Sequence, residues 1–224
     1  MPKENPMKQM KQKLYMDKYV CSGKHWSELK FYDHMMTDAL IKHILGLSRY
    51  GMSDTGEVFE VMGMMKSPAE KDWALAWGNM AERLMQNAIR SEDNKKDVSA
   101  ASAYLRAASY YRFALASFSD ADDPIIEDYA NKSISCYRKY LGLSGYPGKV
   151  IEIPYGETKL SGYFYRSPVT AGKSPLMILT PGRDTLGEDT VWVYDEALKR
   201  GIHCIVMEGP GQGAVLRLQK IPFI

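Results

Sequence analysis

The chain has 224 residues, 45% of them hydrophobic and 25% charged, with 29 Lys and Arg against 27 Asp and Glu and a net charge of +2. This composition supports a packed core, in one large domain or two small ones. The scattered, nearly balanced charges give no case for a nucleic-acid partner, and no apolar run approaches the length of a membrane span.

Residues 1–22 read as an N-terminal arm, a frayed helix or a docked segment, with Lys3, Lys8, Lys11, Lys13 and Lys18 set among Met and Tyr. No apolar stretch follows these lysines, so the arm is not a secretory signal. Cys21, Cys136 and Cys204 lie far apart without Cys-x-x-Cys spacing, which fits a reduced compartment and no structural zinc. A soluble, cytoplasmic protein is expected.

From Ser27 to Arg49 the spacing of Leu29, Met36, Leu40, Ile44 and Leu47 predicts a helix, with Gly51 as its stop. Ser67-Pro68-Ala69-Glu70 has the form of a capping box with proline at the first helical position. The helix it would open carries Trp73, Trp77, Met80, Ala81, Leu84 and Ala88 on one face. Asp97 to Phe118 predicts a third long helix, dense in Ala and Tyr. Asp123-Pro124 caps a fourth, with Ile126, Tyr129, Ile134, Tyr137 and Leu141 inward and Gly142 at its end. Residues 23–143 thus read as an all-helical domain. No fixed period relates its helices, so it is not a solenoid.

At Gly142 the pattern changes. Gly142, Gly145, Pro147 and Gly148 form a linker. Val150–Pro154 and Lys159–Tyr165 alternate as a hairpin about Tyr155-Gly156-Glu157. Leu176–Thr180 and Ile202–Met207 are almost unbroken apolar runs, the pattern of parallel strands buried on both faces. Between them Val191, Tyr194, Ala197 and Leu198 recur at helical spacing from Asp189 to Arg200, before Gly201. This is a βαβ unit, and a site in such a unit belongs at the carboxyl ends of its strands. Two glycine loops sit there, Thr180–Asp184 and Glu208–Gly213.

Pro181-Gly182-Arg183-Asp184 can turn backbone N–H groups outward, as an anion or developing oxyanion requires. The competing reading is an ordinary strand-to-helix turn, with Arg183 on its rim. The loop Gly209-Pro210-Gly211-Gln212-Gly213 has glycine at every second position, unlike the dinucleotide fingerprint. The acid expected ~20 residues after such a fingerprint has no place in the 11 residues after Gly213. Ser27-Glu28-Leu29-Lys30 matches an acylating Ser-x-x-Lys pattern, but Ser27 at a helix start reads as an N-cap. His34 and His43 do not share a helical face as metal ligands would, and His203 in a strand reads as a hydrogen-bonded core residue. No cofactor or metal site is expected. Gly-x-Ser-x-Gly does not occur.

Together these residues resemble the 2,6-dihydroxypseudooxynicotine hydrolase family. Its relatives are the fermentation-respiration switch esterase-like proteins and the fungal polyketide chain-shortening hydrolases. The matching stretches are Gly51–Glu60, Tyr104–Arg112, Pro181–Glu188 and Glu208–Gln219, within residues 25–224. The resemblance implies an α/β fold: a helical cap domain (23–143), then the first strands of an α/β-hydrolase sheet (144–224). It implies serine hydrolysis of an ester or of a carbon–carbon bond next to a ketone, on a small-molecule substrate. The implied oxyanion contribution lies near Gly182 and Arg183. Tyr110, Tyr111 and Arg112 are candidates for the cap lining, with core packing the competing reading for Tyr111. Glu208 stands where many α/β-hydrolases have aspartate.

The resemblance places the nucleophile, the acid and the histidine beyond Ile224, so a truncated, catalytically inactive portion is expected. In that sheet the far neighbour of Leu176–Thr180 is the strand carrying the nucleophile, so a raw edge is expected, with self-association or a broad melt. A non-catalytic helical binding module is the alternative.

Overall fold

The computed structural model describes residues 29–116, 118–120, 122–182 and 184–223. The N-terminal arm, Cys21, His25, the Ser27 cap and Arg183 lie outside the described residues.

Helix α1 spans Met35–Gly46, followed by a 3-10 turn over Leu47–Tyr50. It starts later than the periodicity from Ser27 predicts. The Asp38 carboxylate accepts from Phe31 N (2.7 Å) and Tyr32 N, folding the preceding chain against the first helical turn. His34 Nδ1 caps the helix by accepting from Thr37 N. Met36, expected inward, is exposed. Helix α2, Thr55–Met64, was not foreseen as a separate element; the Asp54 carboxylate caps it through Gly56 N and Glu57 N.

Helix α3 spans Glu70–Asp93, and its foreseen stripe of Trp73, Trp77, Met80, Ala81, Leu84 and Ala88 is buried. The predicted capping box does not form. Ala69 is the cap residue, and Ser67 Oγ accepts from Ala69 N. Glu70 reaches away, accepting from Ser119 N and Oγ at 3.0 and 2.8 Å. Helix α4, Asp97–Ala114, ends before Phe118 and is the core element, buried almost throughout its second half. Its alanines let α3 and α5 pack closely on either side. Helix α5, Pro124–Ser144, starts as expected, with Asp123 Oδ1 accepting from Ile125 N and proline in the first turn. Gly142 does not end it. The stop is Gly145, whose φ of 66° supplies the left-handed cap.

Strands β1 (Gly148–Tyr155) and β2 (Thr158–Tyr165) form the predicted hairpin, turning on Gly156 at φ 55°. Then come β3 (Leu176–Leu179), a 3-10 turn (Gly187–Thr190), α6 (Val191–Lys199), β4 (His203–Met207) and a short α7 (Gly213–Arg217). The sheet order is β1-β2-β4-β3, antiparallel except for the β3–β4 pair, where Leu179 lies opposite Val206. This order agrees with the first strands of an α/β-hydrolase sheet that the resemblance implies.

The sheet's covered face carries Tyr163, Tyr165, Cys204 and Val206. Three tyrosines fasten it to the helices. Tyr137 of α5 hydrogen-bonds both Tyr165 (2.8 Å) and Tyr194 of α6, and the Tyr165 and Tyr194 rings stack at 4.1 Å. The expectation that β3 is buried on both faces fails. Ile178 is 63% and Leu176 49% exposed, because Met177 and Leu179 pair with Cys204 and Val206 on the covered face and Leu176 and Ile178 alternate onto the other.

Candidate active site

Both glycine loops lie at the carboxyl ends of the parallel pair, and one side chain ties them together. Gln212 Oε1 accepts from Gly209 N at 2.8 Å, and its Nε2 donates to Pro181 O at 2.8 Å. Gly211 (φ 77°) and Gly213 (φ 39°) need glycine twice over. A Cβ on Gly211 would meet Phe223 N at 2.9 Å, and one on Gly213 would stand 2.5 Å from the Glu208 carboxyl carbon. Gly182 is exposed at the head of the first loop, and its carbonyl accepts from Thr185 N.

Glu208, closing β4, is 4% exposed. Its carboxylate accepts from Gly187 N, Ala214 N (2.6 Å) and Val215 N, so it grips the loop after β3 and the start of α7 together. Beside it Glu188, also buried, accepts from Tyr163 OH through Oε1, while its Oε2 has no partner among the described residues. Burial first, and then the Glu188 charge, push Glu208 up to about 8 against the pull of its backbone donors. Burial likewise raises Glu188, opposed by the Tyr163 hydroxyl. Both line one small cavity with Ser161, Gly162 and Val206. Sequence reasoning passed over Gln212 and saw Glu208 only as a substituted aspartate. A lone amide and a lone acid inside a glycine loop were the available signal.

Arg112 reaches from α4 to this end of the sheet. Its Nε lies 2.9 Å from Asp189 Oδ2, both side chains at least nine-tenths buried, and Nη2 donates to Thr185 Oγ1 at 3.3 Å. The ion pair is close but poorly aligned, since neither Nε nor Nη1 makes a well-angled hydrogen bond. The guanidinium lies 4.5 Å from the Phe113 ring centre. Burial raises Asp189, opposed by Arg112 and then His43. His43 sits at the rim, one side open, against Phe113 (5.7 Å) and edge-on to Trp192 (6.3 Å). Desolvation lowers its pKa, opposed by Asp189.

The neighbouring tyrosines of α4 go elsewhere. Tyr110 OH donates to Glu57 Oε2 (2.8 Å) and accepts from Asp54 N. Tyr111 OH donates to Glu82 Oε2 (2.6 Å). Of the three candidate lining residues, Arg112 alone is placed beside the glycine loops. His203 is the hydrogen-bonded histidine expected, its Nδ1 accepting from Ser167 N. Among the described residues no group of three or more His, Cys, Asp or Glu is placed to hold a metal ion. No helix among them is long and apolar enough to cross a membrane. No serine or cysteine among them has its hydroxyl or thiol on an imidazole, so the arrangement offers backbone donors without a paired nucleophile.

Comparison with known proteins agrees with this geometry. The chain is 31% identical over 197 residues to the alpha/beta hydrolase xenA of Xenoacremonium sinensis, covering 86% of this chain and 46% of that one. It is 33% identical to the alpha/beta hydrolase psoB of Aspergillus fumigatus, covering 80% and 42%. It therefore spans less than half the length of these relatives. The crystal structure of the 2,6-dihydroxy-pseudo-oxynicotine hydrolase shares the fold at a TM-score of 0.63 and 21% identity, over 77% of this chain and 47% of that one. Residues 42–220 match the profile of the FrsA-like family, described as esterase FrsA-like, and the chain belongs to that family of α/β-hydrolases.

Proposed function

We propose that this chain is the front part of a capped serine hydrolase acting on a small-molecule ester or ketone. The observation that carries this reading is the position of Gly182. It is an exposed glycine at the carboxyl end of β3 in a β1-β2-β4-β3 sheet, in the loop that Arg112 of the helical block touches through Thr185. Residues 23–143 act as the cap, with residues 1–22 as an arm before it, and residues 144–224 begin the hydrolase domain. Gly182 and Arg183 supply the oxyanion loop. There a backbone N–H facing the reacting carbonyl stabilises the charge that develops on its oxygen. Arg112 is the α4 residue assigned to the substrate side, while Tyr110 and Tyr111 hold the helix that presents it.

The cleaved bond is an ester or a carbon–carbon bond beside a ketone; one structural relative is a 2,6-dihydroxy-pseudo-oxynicotine hydrolase. No cofactor is required, and nucleic acid and membrane are not partners. The buried free thiols of Cys136 and Cys204, held up at about 12 and about 11 by burial, suit a reducing cytoplasm.

That no serine hydroxyl or cysteine thiol among the described residues bonds an imidazole favours a second reading, a non-catalytic helical binding module. Purified chain assayed with p-nitrophenyl esters separates the outcomes. The first reading expects no turnover from this chain by itself. Turnover blocked by a serine-directed phosphonate would place a complete triad within it and overturn the assignment. A monomeric chain with a sharp melt that binds a small ketone without turning it over supports the second reading.

A further inference from the structure

We propose that Gln212 is a positioning residue that aims the Gly182 N–H toward the reacting oxygen. This rests on the reading of Gly182 as an oxyanion donor. The Pro181 carbonyl and the Gly182 N–H belong to one peptide group. That group is planar and trans, so its C=O and N–H point in opposite directions. Whatever holds the oxygen therefore aims the hydrogen. Gln212 Nε2 holds the Pro181 oxygen at 2.8 Å on the side of the β4 loop. The Gly182 N–H is left facing the other way, at an exposed position, with no backbone acceptor among the described residues.

The orientation of the Gln212 amide is fixed by its partners. The Gly209 N–H can only donate, so it selects Oε1; the Pro181 carbonyl can only accept, so it selects Nε2. Few side chains meet both demands at this reach. Glutamate lacks the donor, and asparagine is one methylene short. Gln212 is itself held, because it is the cap residue of α7 and its carbonyl accepts from Leu216 N at 2.9 Å. Behind it Glu208 fixes Gly187 and Ala214, just beyond the far ends of the same two loops. The donor is thus oriented before any substrate arrives, which is the condition for electrostatic stabilisation without reorganisation.

The test uses the chain as it is, labelled for nuclear magnetic resonance. Gln212→Glu keeps the acceptor for Gly209 but sets oxygen against oxygen at Pro181; Gln212→Met removes both bonds. In weakly aligned samples the Gly182 N–H residual dipolar coupling should collapse or change sign in both variants, while those of Ile178 and Val206 hold. An unchanged Gly182 coupling in both variants overturns the proposal. A scalar coupling across the bond from Gln212 Nε2 to the Pro181 carbonyl carbon, in the unsubstituted chain, needs no variant. Its presence supports the proposal and its absence overturns it, even if neither variant folds. Acetate serves as the oxyanion probe. It should move the Gly182 amide proton downfield in the unsubstituted chain and not in Gln212→Glu. An amide that acetate never moves tells against the oxyanion reading, whereas one that moves equally in all three chains tells against Gln212.

Discussion

Arg112 Nε and Asp189 Oδ2 face each other at 2.9 Å across the seam between the helical block and the sheet, both almost wholly buried. Removing charges from water costs several kcal/mol per ion, and the pair's attraction offsets that only while both are present. Arg112→Met leaves the Asp189 carboxylate without its main opposing charge, and Asp189→Asn leaves the guanidinium without its carboxylate. Each single change should cost about 3–5 kcal/mol. The double change should cost clearly less than the sum, because it leaves neither charge stranded. Urea unfolding of the four chains measures this. Additive losses would mean that the two residues act independently.

Glu208 and Glu188 give stability a pH dependence of known sign. Glu208 is raised in the fold from 4.5 to about 8, and Glu188 is raised too. The fold therefore binds protons more tightly than the unfolded chain, and their contribution is complete below the unfolded pKa. It is lost as pH climbs from about 4.5 through about 8. Glu188→Gln removes the charge that helps to hold Glu208 up. The variant should then lose less stability between pH 6 and 9 than the unsubstituted chain, by about 1.4 kcal/mol for each pKa unit recovered. Denaturant midpoints across that range decide it, and parallel curves would show that the two acids do not sense one another.

The tyrosine cluster should respond according to position. Tyr137 OH sits between Tyr165 OH and Tyr194 OH and hydrogen-bonds both. Tyr137→Phe deprives two buried hydroxyls of their shared partner and should cost about 1–3 kcal/mol. Tyr194→Phe keeps the stacked ring and the Tyr137–Tyr165 bond, so its cost should be smaller. Thermal melts give the ranking. A reversed order would place the main anchorage of α6 in the Tyr194 hydroxyl.

Which features could be read in advance follows from the range of the forces involved. The βαβ unit was legible because Leu176–Leu179 and His203–Met207 are local apolar runs punctuated by glycine. The Asp123-Pro124 cap was legible because a cap is local chemistry. Helix α2 was hidden by Gly56 in its first turn, where propensity is weakest. The box at Ser67 failed because Glu70 found Ser119, 49 residues away, instead of its own cap. The site was half legible. A glycine loop announces itself, but Gln212 acquires meaning only with Pro181 across the fold. Asp189 looked like the polar start of a crossover helix and Glu188 only like the end of a loop; they are buried against Arg112 and Tyr163.

The β3 edge carries the last prediction. Leu176 and Ile178 are about half exposed or more, uncharged, and followed by no partner strand among the described residues. An edge of this kind pairs readily with another, and a lysine on it opposes pairing by charge repulsion and desolvation. Because Ile178 already faces solvent at 63% exposure, Ile178→Lys removes little buried area from the fold. The unsubstituted chain should self-associate as concentration rises, and Ile178→Lys should shift it toward monomer with an unfolding midpoint close to the original. Sedimentation velocity over a dilution series reads both chains. Equal association by the two would move the contact away from β3, and the exposed methionines Met35, Met36 and Met64 would be the next surface to substitute.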